Sequence, residues 1–275
     1  VKTRRVFQHC PTLRIVLLFL ICSFTPPPRF SAFSLVELSI VLVILGLLTG
    51  GILAGQSLIR AAELRSISTE YQRYITGLHS FRDRYFALPG DMTNATKFWG
   101  IAGGTGTDAT CRDTISTDAK TCDGNGDGRV GINSGVTHVN ERFRFWQQLA
   151  NAGLIEGFYT GTGGAVGRQQ AVVGENVPVS KMGAGIGWGV KSFDTSAEGG
   201  NMMNMGVTST TNNSLTPLGS LPSEAWNIDT KLDDGMPLTG RVWINPGTAP
   251  CVDVSNGYAL DYTAKDCSIR FVNIH

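Results

Sequence analysis

The sequence predicts an α+β protein: a long N-terminal helix whose first half is transmembrane, with a small antiparallel β-sheet domain packed on its second half. Three observations carry this prediction. Phe33 to Ala54 is a 22-residue apolar run whose one ionisable member is Glu37, and such a run is long enough to cross a bilayer. Leu64, Ile67, Tyr71, Tyr74, Leu78, Phe81 and Tyr85 then recur at steps of three and four, the period of a helix with one apolar face. Beyond residue 90 the chain is rich in Gly, Thr, Asn and Asp, with short apolar runs that read as strands between turns.

The helix is expected to run from Phe33 to about Tyr85, where Leu88-Pro89-Gly90 stops it. At 1.5 Å per residue that is a rod of ~80 Å. Its first half is apolar all round. Its second half sets Arg60, Glu63, Arg65, Glu70, Arg73 and Arg82 away from the apolar stripe, as expected of a helix that packs under a domain. Gly46 and Gly50, then Gly51 and Gly55, are four apart, a spacing that lets helices approach closely in lipid.

The run begins Arg29-Phe30-Ser31-Ala32-Phe33-Ser34-Leu35-Val36-Glu37-Leu38. A carboxylate at the centre of a membrane helix costs about 2.5 to 3.5 kcal/mol, less near its end, and marks a functional site with a partner. A basic approach, a small residue, then Phe, and Glu four positions later resembles the cleavage and methylation motif of the type IV pilin and type II secretion pseudopilin family. The resemblance implies that a prepilin peptidase cuts between Ala32 and Phe33 and methylates the new amine. It also implies that Glu37 meets the amine of a neighbouring subunit during filament assembly. Ala32 stands where the family usually has Gly, and Ala54 where many members have Pro.

The chain divides accordingly into a leader (1–32), the transmembrane half of the helix (33–54), its amphipathic half (55–88) and a globular domain (89–275). Residues 1–32 carry five cations and no acid, which places the leader in the cytoplasm and the domain outside; the resemblance implies that the membrane is the inner membrane and the far side the periplasm. The rest of the chain holds 18 basic and 22 acidic residues, with no basic excess to suggest nucleic acid as a partner. The first methionine is Met92, and a second apolar run, Ile15 to Phe24, precedes Pro26-Pro27-Pro28. A misassigned upstream start is the expected explanation of both.

Four of the six cysteines lie in the domain. They allow three connectivities, and the shortest loops join Cys111 to Cys122 and Cys251 to Cys267, which suits an oxidising compartment.

Asp123-Gly124-Asn125-Gly126-Asp127-Gly128 alternates oxygen side chains and then places a Gly, the pattern of the first half of an EF-hand calcium loop. Ser134 stands at the twelfth position, which that loop reserves for a bidentate Glu, so Glu141 is the nearest acidic candidate to complete the set. A second cluster, Asp229, Asp233 and Asp234, precedes Gly235. The family resemblance implies calcium there too, because major pseudopilins bind it in a C-terminal loop. As a plain polar turn, Gly235 would supply a positive φ.

Asn140 to Ala150 reads as a second helix with Phe143, Trp146, Leu149 and Ala150 on its buried side. Gly240 to Ile244, Tyr258 to Tyr262 and Ser268 to Ile274 read as strands. Enzyme chemistry finds no support: His79, His138 and His275 fit no HExxH spacing, and there is no GxSxG and no Walker A lysine. Gly161 to Gly167 reads as a loop. The expected function is that of a structural subunit, assembled with itself or other pilin-like subunits on an inner-membrane platform, with calcium as the one cofactor suggested. The competing expectation is a signal-anchored, calcium-dependent binding domain that does not polymerise.

Overall fold

The computed structural model describes residues 34–111, 113–131, 141–183, 185–193, 200–211, 214–244 and 250–274. The chain divides into two compact units that meet between Ile52 and Leu53. Helix α1 (Leu35–Tyr85) begins in the first unit and ends in the second. It is the one helix among the described residues that is long and apolar enough to cross a membrane. From Leu35 to Ile59 its large apolar side chains are all at least half exposed. Unbranched and γ-branched residues there favour helix, and the four glycines are offset by the hydrogen bonds of an otherwise unbroken ladder.

The rest of α1 turns one face inward. Ile67, Tyr71, Tyr74, Leu78 and Phe81 are buried, as the period predicts, with Leu64 and Tyr85 at the margin. Glu70, expected among the outward polar residues, is buried instead. Its carboxylate accepts from Ser180 Oγ (2.6 Å), the Lys181 amide (2.7 Å) and Trp188 Nε1 (2.9 Å), so donors from beyond the helix replace water. The helix stops at Phe86, which holds φ 54° with its ring in solvent.

After the helix come α2 (Thr96–Trp99), α3 (Asp108–Cys111), α4 (Glu141–Asn151), β1 (Ile186–Phe193), β2 (Gly200–Val207), β3 (Thr216–Pro217), β4 (Gly219–Ser220), α5 (Pro222–Leu232), β5 (Val242–Ile244) and β6 (Cys267–Phe271). The strands form one antiparallel sheet in the order β1-β2-β6-β4, with β3 on β2 and β5 on β6. The β1–β2 hairpin pairs Ile186 with Val207 through Phe193 with Gly200. The aromatic core shows how the layers meet: Tyr71 stacks on Phe271 of β6 at 4.4 Å, and Tyr74 meets Trp146 of α4 edge-on at 5.0 Å and Trp188 of β1 at 5.6 Å.

Two expectations change. Tyr258 to Tyr262 is not a strand: Tyr258 makes one isolated bridge to Val252, and the chain turns at Leu260 and Asp261. Between the two bridge residues, Asp253 draws the chain round by accepting from the Ser255 and Gly257 amides, with Asn256 at φ 62°. Helix α4 buries its whole circumference from Glu141 to Leu149, not one face. Its two glutamines are held by internal bonds: Gln148 Oε1 accepts from the Gly90 amide (2.7 Å), and Gln147 Oε1 accepts from Thr121 Oγ1 (2.8 Å) and Arg144 Nη1 (2.8 Å).

Both cysteine pairs of the domain form the bridges with the shortest loops, Cys111–Cys122 and Cys251–Cys267. The second ties the segment after β5 to the start of β6.

Candidate functional site

Ala32 and Phe33 lie outside the described residues. Glu37 sits in the first turn of α1, where its carboxylate accepts from the Ser34 amide at 2.9 Å. A negative charge is favoured there, because first-turn amides lack helical acceptors and carry the positive end of the helix dipole.

The Asp123 loop is shaped by its glycines and by a residue far away in sequence. A Cβ on Gly124 would come within 2.5 Å of the Asp91 backbone, so only glycine lets these two segments touch. Gly126 and Gly128 hold φ 76° and 81°. The chain therefore wraps around the Asp91 carboxylate, which accepts from the amides of Gly126 (2.6 Å), Asp127 (3.1 Å) and Gly128 (2.8 Å). Glu141, entering from the start of α4, accepts from the amides of Asn125 and Gly131, each at 3.1 Å.

Asp91, Asp127 and Glu141 each place a carboxylate oxygen within 4.8 Å of the others. A cation held at 2.3 to 2.6 Å has ligand oxygens up to about 5 Å apart, so one ion fits between them. Asn125 supports the arrangement, its Oδ1 accepting from the Asp127 amide and its Nδ2 donating to Asp127 Oδ2, both at 2.9 Å. Asp123, expected as the first ligand, lies outside this group: its carboxylate accepts from the Thr96 amide (2.7 Å) and Thr96 Oγ1 (3.0 Å), at the start of α2. Ser134 lies outside the described residues.

Burial pushes the Glu141 carboxyl up to about 8, against two opposing amide hydrogen bonds, and the charges of Asp91 and Asp127 add to the rise. Burial likewise raises Asp91, with Asp127 contributing. Three mutually repelling carboxylates, two of them raised, are what a bound cation would relieve. An open cleft of about 830 Å³ borders the loop, lined by His79, Arg82, Phe86, Asp91, Gly126 and Gly128 among others, and gives an ion a way in.

Asp91 is the residue the sequence did not offer. It lies in a Pro89-Gly90-Asp91 turn 32 positions before Asp123, and only the fold joins the two.

The second cluster, Asp229, Asp233 and Asp234, also brings three carboxylates within 4.8 Å. Each is engaged by its own turn. Asp229 accepts from Tyr258 Oη (2.7 Å) and the Gly235 amide (3.2 Å), Asp233 from the Arg241 and Val242 amides, and Asp234 from Thr239 Oγ1 (2.6 Å) and the Met236 amide (2.9 Å). Burial and the two neighbouring acids push Asp229 up to about 6. Gly235, at φ 76°, supplies the turn conformation the sequence suggested.

Comparison with protein-family models, with curated proteins and with solved structures finds no match for this chain. Function therefore rests on the residues themselves.

Proposed function

We propose that this chain is a pilin-like structural subunit. A prepilin peptidase cuts it before Phe33 and methylates the new amine, and the product polymerises through α1 into a type II secretion pseudopilus or a type IV pilus-like fibre. One observation carries the reading: from Leu35 to Ile59 the helix is apolar and exposed on every side, and its single ionisable residue, Glu37, lies in the first turn. Such a surface needs lipid or other helices to cover it, and a lone carboxylate at its head needs a cationic partner. A terminal amine on a neighbouring subunit meets that need.

In this reading the protein starts as a single-pass inner-membrane protein, leader in the cytoplasm and domain in the periplasm. An inner-membrane assembly platform then passes it into the fibre. Gly46, Gly50, Gly51 and Gly55 support close helix packing, since a Cβ at any of them would meet nothing within 4 Å. They are an open flank for a neighbouring copy or another pilin-like subunit.

The deciding test is the mass of the intact N-terminus after membrane extraction, with and without the peptidase. N-methylated Phe33 appearing only with the peptidase is the expected result; an uncut chain, or a cut that ignores the peptidase, overturns the reading.

We further propose calcium as the ion of the Asp91, Asp127 and Glu141 group, because the donors are three hard carboxylate oxygens. That group also favours the second reading, a membrane-anchored binding domain that does not polymerise. Glu37→Ala separates the two. The filament reading expects lost assembly with the monomer still in the membrane, and the anchored-domain reading expects no effect.

A further inference from the structure

Three cations of the domain share one hollow. Arg65 and Arg73 of α1 and Lys181, from the segment before β1, line an open cavity of about 280 Å³ together with Ser66 and Thr69. None of the three forms an ion pair among the described residues. Arg73 is steadied against Tyr74, donating to its Oη at 3.3 Å, and Glu156 acts on it through charge alone. Glu70 is the one described acid of the lining, and Ser180, the Lys181 amide and Trp188 already engage its carboxylate. Cations gathered in excess of acids repel one another, and an anion that enters between them relieves the repulsion.

The helix face that carries this hollow continues into apolar surface. Gly55, Leu58, Ala62, Arg65, Thr69 and Arg73 succeed one another at steps of three and four, so they stack on one side of α1. Leu58 is exposed, and a Cβ on Gly55 would meet nothing within 4 Å. From Leu58 to Arg65 the helix rises about 10 Å, and the headgroup layer of a bilayer is about 5 to 8 Å deep on each side. A long Arg side chain spans that difference with its stem on apolar surface and its head in water. Charge and apolar surface thus follow in the order in which a phospholipid presents its phosphate and its acyl chain.

We propose that this hollow binds the phosphate of an anionic phospholipid of the phosphatidylglycerol class, taken from the leaflet that faces the domain, with an acyl chain lying along Leu58 and Gly55. The proposal rests on the reading of α1 as a membrane helix. Arg65 supplies paired donors to the phosphate oxygens, and Lys181 supplies a point charge. The choline or ethanolamine cation of a neutral phospholipid would be repelled by the same residues. A free phosphate or an acidic peptide would match the cations but leave the apolar part of the face uncovered.

The test offers the full chain, extracted in mild detergent, equal amounts of phosphatidylglycerol and phosphatidylcholine, and counts the retained lipids by native mass spectrometry. Flotation with phosphatidylcholine vesicles is run beside it. Wild type and Arg65→Gln/Lys181→Gln are both expected to float. Wild type is expected to retain phosphatidylglycerol about 25-fold over phosphatidylcholine, Lys181→Gln about fivefold, and the double variant both lipids nearly equally. Chains that float but retain the two lipids equally in wild type, or a preference that survives in the double variant, overturn the proposal and leave the membrane reading standing. Chains that do not float overturn both. A wild-type preference abolished by equimolar inorganic phosphate or hexaglutamate assigns the cations to a soluble anion or an acidic peptide and overturns the lipid. If the double variant does not fold, Lys181→Gln alone is read, since the backbone bond from residue 181 to Glu70 does not involve the side chain; a preference equal to wild type there overturns the proposal.

Discussion

Asp91 organises a loop to which it does not belong. Three consecutive amides converge on its carboxylate, so its removal should loosen the Asp127 and Glu141 oxygens together. Calcium is expected to raise the melting temperature of the wild-type protein, and Asp127→Ala and Asp91→Asn to abolish the rise; a melting curve that ignores calcium would remove this ion from the account.

Proton linkage gives a second prediction. Glu141 keeps its proton to about pH 8 in the native chain but only to about pH 4.5 unfolded, so between those values the native state binds more protons. Stability must then fall as pH rises through that window, its proton-linked part complete below pH 4.5 and lost above pH 8. Chemical denaturation at pH 5 and pH 8 in chelator should show this fall, Glu141→Gln should flatten it, and stability that increases across the range would contradict it. The place of Glu141 beside Asp127 was legible as that of the nearest acid to an incomplete loop. That of Asp91 was not, because contact between segments so far apart follows from packing and leaves no local pattern.

Among the elements, α1 was the most legible and β1–β2 the least. The 51-residue helix is apolar all round in its first half, buries the predicted stripe in its second, and stops where Pro89 and Gly90 demand it. The hairpin instead places Gly187, Gly189, Asn201, Met202, Met203, Asn204 and Met205 in strands, and none of these residue types favours β structure strongly. Their pairing is set by register across the hairpin and by burial of β2 on both faces, which removes the alternation that would betray it. Helix α4 was found by composition, but its burial all round was not, since Gln147 and Gln148 read as solvent-facing until their partners are known.

Glu70 shows what such a misplaced polar residue is worth. Glu70→Ala leaves three buried donors unanswered and should destabilise the domain by about 3 kcal/mol; urea denaturation with a loss under 1 kcal/mol would refute that role. Phe86 offers the reverse case. It holds a left-handed φ with its ring in water, so Phe86→Gly should stabilise by up to about 1 kcal/mol, read as a higher urea midpoint at unchanged slope.

For the whole molecule, stability is shared between a packed core and two covalent staples. Cys111–Cys122 and Cys251–Cys267 close loops of 11 and 16 residues, each expected to contribute about 3 kcal/mol. Reduction should therefore lower the unfolding midpoint in two separable steps, and Cys251→Ser with Cys267→Ser should remove one of them. The apolar sleeve from Leu35 to Ile59 adds nothing to that core, because none of its large side chains is buried. Among the described residues, Arg60 is the first of α1 to make a hydrogen bond to another element, gripping Glu224 of α5 through two bonds of 2.6 and 2.8 Å. A chain shortened to begin at Arg60 would thus retain the buried core and the Arg60–Glu224 pair and shed the surface that demands detergent. It should stay dissolved in plain buffer and elute as a single small species, whereas the longer chain left without amphiphile should precipitate.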